Sequence, residues 1–137
     1  MKTTIELNNT PITIESIFAG TKNSLWDAKK EQHHIVSVSA NNKTISFNFW
    51  TSIAQPTIDS EDYLLDAFYC FISDGMSADM SFNEFCNELG YDVYSDDDKQ
   101  TASTIYSACR DNFIKLEQLS IGDIYDVCNE LQDKYDL

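Results

Sequence analysis

The chain has 137 residues, of which 42% are hydrophobic, and a formal net charge of −14. A chain of this length is the usual size of one domain and buries about two-thirds of its unfolded surface, so we expect one globular domain with a proper core and not a disordered chain. The negative charge argues against direct binding to nucleic acid, because that affinity depends on Lys and Arg side chains that neutralise phosphates.

The charge is distributed unequally along the chain. Residues 1–55 contain five lysines and four acids, a net charge of +1, whereas residues 56–137 contain 19 acids and four basic residues, a net charge of −15. So acidic a surface favours a partner that is itself basic. The residues after Met1 lack the apolar run of a signal peptide, and no run is long enough to cross a membrane, which predicts a cytoplasmic protein.

Residues 1–55 show the two-residue period of β-strands. Ile12 and Ile14, with Ile17 as a further candidate, alternate with polar neighbours. Residues 34–39 and 44–50 alternate on either side of two asparagines, which tolerate the backbone of a tight turn, so we predict an antiparallel hairpin here. The side chains of this hairpin that we expect in the core are Val36, Val38, Ile45, Phe47 and Phe49.

After Pro56 the apolar period becomes helical. Apolar residues recur every three or four positions from Ser60 to about Ser73, with Ser60 as the N-cap and acidic residues in the first turn. A second helix is predicted over residues 82–89. It has a capping box that begins at Ser81, a hydrophobic staple before and within its first turns, and Gly90 where a left-handed residue ends a helix.

Two further helices complete the prediction. Ser95 is the expected N-cap of a third helix that extends to about residue 118, with a buried stripe that includes Ala102, Cys109 and Leu116. Ser120 is the expected N-cap of a fourth. The predicted fold class is therefore α+β, with a small antiparallel N-terminal sheet packed against about four C-terminal helices in a single domain over residues 1–137.

The sequence gives no support for a metal, cofactor or catalytic centre. Asp92 begins a run of four aspartates within seven residues, but three of the five key positions of a calcium loop do not match, and helix capping explains the run better. His33 and His34 are adjacent in a predicted strand and should point to opposite faces. No Cys-x-x-Cys pair occurs, so we expect four buried free thiols, at Cys70, Cys86, Cys109 and Cys128. We expect a protein that is not an enzyme.

The acidic surface is the feature that remains. The predicted apolar stripes leave sixteen acidic side chains of the helical region mostly outward. Carboxylates three or four positions apart on a helix are about 5–6 Å from each other, so a rigid helical surface can imitate a phosphate backbone. The candidate partner-binding residues are Glu61, Asp62, Asp66, Asp96, Asp97 and Asp98. The alternative is that the acidity only keeps the protein soluble, although −14 exceeds the magnitude of about 2–8 that suffices for a small domain.

Two segments resemble a pattern in small acidic proteins encoded by temperate bacteriophages and prophages. These are SFNEFCNELGYD at residues 81–92 and YSAC at residues 106–109. The family has no assigned enzymatic activity, so the resemblance implies no catalytic residues, and it implies a location in the cytoplasm of an infected or lysogenic bacterial host. In size and charge the chain is also similar to anti-CRISPR and anti-restriction proteins, many of which occupy the nucleic-acid channel of a defence nuclease.

The functional hypothesis is an inhibitor of a bacterial defence system that binds the basic nucleic-acid channel of an effector, a CRISPR complex or a restriction enzyme, by mimicking DNA. The alternative is a phage accessory module without inhibitory activity, which docks through an apolar surface or through aromatic residues such as Trp26, Trp50 and Tyr94. We expect a monomer or a homodimer, with the edge strand of the hairpin as one means of pairing.

Overall fold

The computed structural model describes residues 1–23, 30–51 and 60–137, and side chains are described for residues 1–20, 32–51 and 60–137. The elements in chain order are β1 (Lys2–Leu7), β2 (Thr10–Asn23), β3 (Lys30–Ala40), β4 (Lys43–Thr51), α1 (Glu61–Ser77), α2 (Phe82–Leu89), α3 (Asp96–Gln118) and α4 (Ile124–Tyr135). This arrangement confirms the predicted α+β class. Pro56 and Trp26 lie outside the described residues.

The four strands form one antiparallel sheet in the order β1-β2-β3-β4. The predicted hairpin is confirmed, since Val36 of β3 lies opposite Phe47 of β4. Two Asn-Asn pairs, at residues 8–9 and 41–42, make the tight turns β1–β2 and β3–β4, and all four asparagines have positive φ angles as such turns require. Strand β1 was not predicted, because only Ile5 and Leu7 alternate in it.

One face of the sheet carries the core. Its buried residues have even numbers on β2 and β3 and odd numbers on β1 and β4, and they form one hydrophobic cluster with α1, α3 and α4. These residues are Ile5, Leu7, Ile12, Ile14, Val36, Val38, Ala40, Ile45 and Phe47. Phe49 packs against the cluster but is only half-buried. Ile17 is 57% exposed, because its odd number places it on the face that is opposite to Ile12 and Ile14.

The helix caps are mostly those predicted. The side chains of Ser60, Ser81 and Ser95 accept hydrogen bonds from main-chain N–H groups in the first turns of α1, α2 and α3. Gly90 ends α2 in the left-handed conformation, with φ 77°. Helix α1 continues to Ser77, beyond the expected end at about Ser73.

The predicted start of the fourth helix is wrong. Asp123 is the N-cap of α4, and its carboxylate accepts from the N–H groups of Tyr125 and Asp126. Ser120 lies before the helix with φ 54°, and Gly122 follows with φ 107°. A helix cannot pass through residues in this conformation, so it begins only after Gly122.

Helices α1 and α3 cross in close contact at Gly75. A Cβ at this position would lie 3.2 Å from the main-chain nitrogen of Phe113 and 3.2 Å from Cδ1 of Leu116. The hydroxyl of Tyr106 donates to the carbonyl of Met80 at 2.7 Å, so later residues of the α1–α2 segment meet earlier residues of α3. The two helices are therefore antiparallel. No helix in the described part of the chain is long and apolar enough to cross a membrane.

Candidate functional site

The acidic side chains of the helical region lie outward, as predicted. Thirteen of the sixteen are exposed, and Asp74, Asp98 and Glu130 are half-buried. They are distributed over all four helices and the segments between them. The sixteen are Glu61, Asp62, Asp66, Asp74, Asp79, Glu84, Glu88, Asp96, Asp97, Asp98, Asp111, Glu117, Asp123, Asp126, Glu130 and Asp133.

None of these carboxylates has a cationic partner in the described part of the chain. The ion pair found there joins Lys2 and Glu15 on the sheet, at 4.0 Å. Three of the four basic side chains of the helices donate instead to main-chain carbonyls: Arg110 to Ala78, Lys115 to Ser46 and Lys134 to Glu6. The negative charge of the helices is therefore left largely unneutralised within the molecule.

Asp96, Asp97 and Asp98 lie in the first turn of α3, where negative charge is favoured by the helix dipole. Asp98 accepts a hydrogen bond from the N–H of Asp92 at 2.9 Å, and Asp92 accepts one from the N–H of Tyr94 at 2.9 Å. These bonds fix the α2–α3 connection. Asp96 and Asp97 are exposed beside it, and the ring of Tyr94 is 94% exposed.

Glu61, Asp62 and Asp66 lie at the other candidate position, the start of α1. Glu61 accepts a hydrogen bond from the hydroxyl of Thr3 on β1 at 3.1 Å, which connects it to the sheet. Asp62 and Asp66 are exposed one turn apart on the side of the helix away from the core. They form a short acidic strip.

The structure does not bring the two groups of candidate residues together. Glu61 lies about 21 Å along α1 before the crossing at Gly75, and Asp96 lies about 26 Å along α3 before Phe113. Because the helices are antiparallel, these distances extend in opposite directions from the crossing. The two groups occupy opposite ends of the α1–α3 pair.

A cleft of about 330 Å³ opens between edge strand β4 and helices α1 and α3. Its polar and aromatic lining comes from Asn48, Trp50, Asp74, Asp111, Asn112 and Lys115. These residues are far apart in the sequence, so sequence reasoning missed the cleft. Trp50, which we expected as an exposed aromatic, is half-buried and stacks on His33 with ring centroids 4.4 Å apart.

The charged groups that line the cleft form no ion pair with any residue in the described ranges. Lys115 donates to the main-chain carbonyl of Ser46 at 2.8 Å and has no carboxylate within 4.0 Å among the described residues. Asp111 is exposed. Desolvation by burial raises the pKa of Asp74 above its usual range, and no hydrogen bond or ion pair joins Asp74 to the described residues. The cleft thus holds two carboxylates and one ammonium group that do not neutralise one another.

His33 and His34 are buried to 5% and 1% exposure, on opposite faces of β3. Nε2 of His33 lies 2.7 Å from Oδ1 of Asn48, and Nε2 of His34 lies 3.1 Å from the hydroxyl of Thr51. Burial and the neighbouring His33 lower the pKa of His34. Within the described residues, no group of three or more His, Cys, Asp or Glu side chains could hold a metal ion.

The four cysteines are free thiols, as predicted. Cys86, Cys109 and Cys128 are buried, whereas Cys70 is only half-buried. Burial raises the pKa of Cys70 and of Cys109 to about 11. The negative charges of Asp66 and Asp74 add to the effect at Cys70, and the charge of Asp74 adds to it at Cys109. Because the thiolate is the reactive form, these groups are poor nucleophiles at neutral pH.

Comparison with protein-family models, with curated proteins and with solved structures finds no match to this chain. The two segments from which a phage relationship is predicted have structural roles in this fold. Residues 81–92 form α2 and the turn after it, and Tyr106 of the second segment packs against Phe85, with ring centroids 5.1 Å apart. The phage relationship stays a prediction.

Proposed function

We propose that this protein is a phage- or prophage-encoded inhibitor that binds, through its helical carboxylates, a basic nucleic-acid-binding surface of a bacterial defence effector. The observation that carries the proposal is the absence of cationic partners for these carboxylates among the described residues. Carboxylates that are not neutralised within the molecule remain available to the Lys and Arg residues that otherwise contact phosphates. The target class is a CRISPR effector or a restriction enzyme.

The start of α3 is the better supported contact. Asp96 and Asp97 are exposed on a helix end whose connection is fixed by hydrogen bonds, so little ordering is required when they bind. The adjacent Tyr94 is almost fully exposed. Tyr is enriched among residues that dominate binding energy, and its ring can stack on an Arg guanidinium of the partner.

Asp62 and Asp66 form a second contact at the opposite end of the α1–α3 pair. A partner that contacts both ends must offer a long basic surface, as a nucleic-acid channel does. A partner that contacts one end needs only a short basic patch. The separation of the two ends allows them to be tested independently, because substitutions this far apart usually have additive effects.

Charge reversal at each end tests the proposal. The first double variant combines Asp96→Lys and Asp97→Lys, and the second combines Asp62→Lys and Asp66→Lys. The control combines Asp96→Asn and Asp97→Asn, which removes charge without reversing it. We expect the first variant to abolish inhibition of target cleavage by a purified effector, while circular dichroism shows an unchanged fold. Full inhibition by both charge-reversed variants would contradict the proposal.

A second candidate function is supported by an apolar pair on the open face of the sheet. Ile17 and Ile35 lie opposite each other on β2 and β3, and they are 57% and 39% exposed. This pair fits the alternative of an accessory module that docks through an apolar surface. Such binding would persist at high salt, whereas binding through carboxylates would not.

A further inference from the structure

We propose that edge strand β4 and the cleft beside it bind an extended segment of a partner protein, with an arginine side chain of that segment in the cleft. The site differs from the acidic helix ends, and the inference does not depend on the proposed function. It would bind its partner by adding a strand to the sheet, a mode in which main-chain hydrogen bonds give affinity and a side-chain pocket gives specificity.

The orientation of β4 directs main-chain groups towards the cleft and away from β3. Lys115 donates to the carbonyl of Ser46, so the main-chain groups of Ser46 point away from β3. Because main-chain groups alternate in direction along a strand, Asn48 and Trp50 also present their N–H and C=O groups at this edge. Both residues line the cleft. Within the described residues no further strand pairs with β4.

The net negative charge of the cleft lining favours a positively charged ligand. Asp74 and Asp111 contribute two carboxylates and Lys115 one ammonium group, so the net charge of the lining is −1. The ammonium group is already bonded to Ser46. Asp74 is half-buried and has no hydrogen-bond or ion-pair partner among the described residues, so its carboxylate is available to a cation that enters the cleft.

The shape and the aromatic wall favour arginine. A guanidinium group is planar, donates two parallel hydrogen bonds to a carboxylate, and stacks on aromatic rings. Trp50 supplies such a ring, and its stacking on His33 fixes its position. Oδ1 of Asn48 is bonded to Nε2 of His33, so the amide N–H₂ of Asn48 can donate to a bound main chain. The volume of about 330 Å³ is large enough to admit one long side chain.

The test is an NMR titration of the full-length ¹⁵N-labelled protein with the peptide acetyl-Val-Thr-Val-Arg-Val-Thr-amide. We expect shifts of the Asn48 and Trp50 amides, and an affinity about tenfold higher than that of the same peptide with neutral citrulline in place of arginine. Asp74→Asn should reduce the affinity by a similar factor. Asp136→Asn, which removes an equal charge from the exposed end of α4, should leave it unchanged.

The main-chain contact has its own pair of variants. Asn48→Pro removes an N–H at the open edge, and proline is tolerated where the N–H of an edge strand faces solvent. Asn48→Ala also removes the side chain but keeps that N–H. We therefore expect the proline variant to lose more binding affinity than the alanine variant.

Equal binding of the arginine and citrulline peptides, no shift at Asn48 and Trp50, or unchanged affinity in Asp74→Asn would overturn the proposal. Pairing of β4 with a second copy of the chain, detected as a doubled mass by light scattering, would also overturn it.

Discussion

Nζ of Lys115 on α3 donates to the main-chain carbonyl of Ser46 on edge strand β4 at 2.8 Å. The other edge of the sheet has a matching contact, since Nζ of Lys134 on α4 donates to the carbonyl of Glu6 on β1 at 2.8 Å. Exposed strand edges promote pairing between molecules, and lysine at an edge is a common protection against it. Each outer strand of this sheet therefore has one carbonyl covered by an ammonium group from a helix.

Removal of the Lys115 ammonium group should promote self-association. In Lys115→Met the carbonyl of Ser46 loses its donor and β4 loses the charge beside it, so we expect a higher weight-average mass at millimolar concentration in analytical ultracentrifugation. Lys99→Met, which removes an exposed charge from the first turns of α3, is the matched control. An unchanged mass in Lys115→Met would show that the contact does not protect the edge.

Gly75→Ala should lower the free energy of unfolding by up to about 2 kcal/mol, because the added methyl group overpacks the α1–α3 crossing at a cost of about 1–3 kcal/mol. The close neighbours include main-chain atoms of Phe113, at 3.2 Å and 3.3 Å, which cannot move aside as a flexible side chain can. The gain in helix propensity, about 1 kcal/mol, offsets only part of this cost. Urea unfolding gives the free energy, and Gly90→Ala, at a site with open space but a positive φ angle, separates strain from crowding. A stabilised Gly75→Ala protein would contradict the close packing.

The stability of the sheet should fall on acidification through His34. Its pKa in the folded protein is lowered from 6.5, first by burial and then by His33, so the fold favours the neutral ring. The neutral His34 ring therefore contributes to the free energy of unfolding above pH 6.5, and this contribution is lost as the pH falls towards the pKa of His34 in the folded protein. We expect His34→Gln to lose less stability than the native protein between pH 7.5 and pH 5.5 in urea unfolding. An equal loss in both proteins would exclude His34 as the cause.

The thiol of Cys70 should react slowly with alkylating reagents, although it is only half-buried. Its pKa is raised to about 11 from 9.0, by burial and by the charges of Asp66 and Asp74. At pH 8 about a hundredfold less thiolate is then present than in an unperturbed thiol, because each pKa unit is a factor of ten. Asp74→Asn should speed the reaction with iodoacetamide, as followed by mass spectrometry of the Cys70 peptide. A native rate equal to that of free cysteine would contradict the raised pKa.

Local sequence signals predicted the elements with strong caps. Ser81 and Gly90 mark the two ends of α2 both in the prediction and in the structure, because each caps main-chain groups of its own neighbours in the chain. The start of α4 could not be predicted in the same way. Ser120 and Asp123 are both good N-cap residues, and the choice between them depends on the positive φ angle of Gly122, which packs against Asn8 of the distant β1–β2 turn.

The candidate site was predictable only in part. The helical period was sufficient to predict that Asp62, Asp66, Asp96 and Asp97 are exposed. Their placement at opposite ends depends on the antiparallel crossing of α1 and α3 at Gly75, which no local pattern indicates. The cleft has the same origin, because tertiary packing alone brings together its lining residues from β4, α1 and α3.

The most direct test of the central claim, that helical carboxylates occupy a nucleic-acid-binding surface, is capture of purified defence effectors on the immobilised protein. Each CRISPR or restriction complex is loaded at about 50 mM salt and washed at about 200 mM, a range over which binding that depends on phosphate contacts weakens strongly. We predict retention at low salt, release at the higher salt, and displacement by competing DNA. Retention that persists at high salt and in the presence of DNA, or no retention of any effector, would contradict the claim.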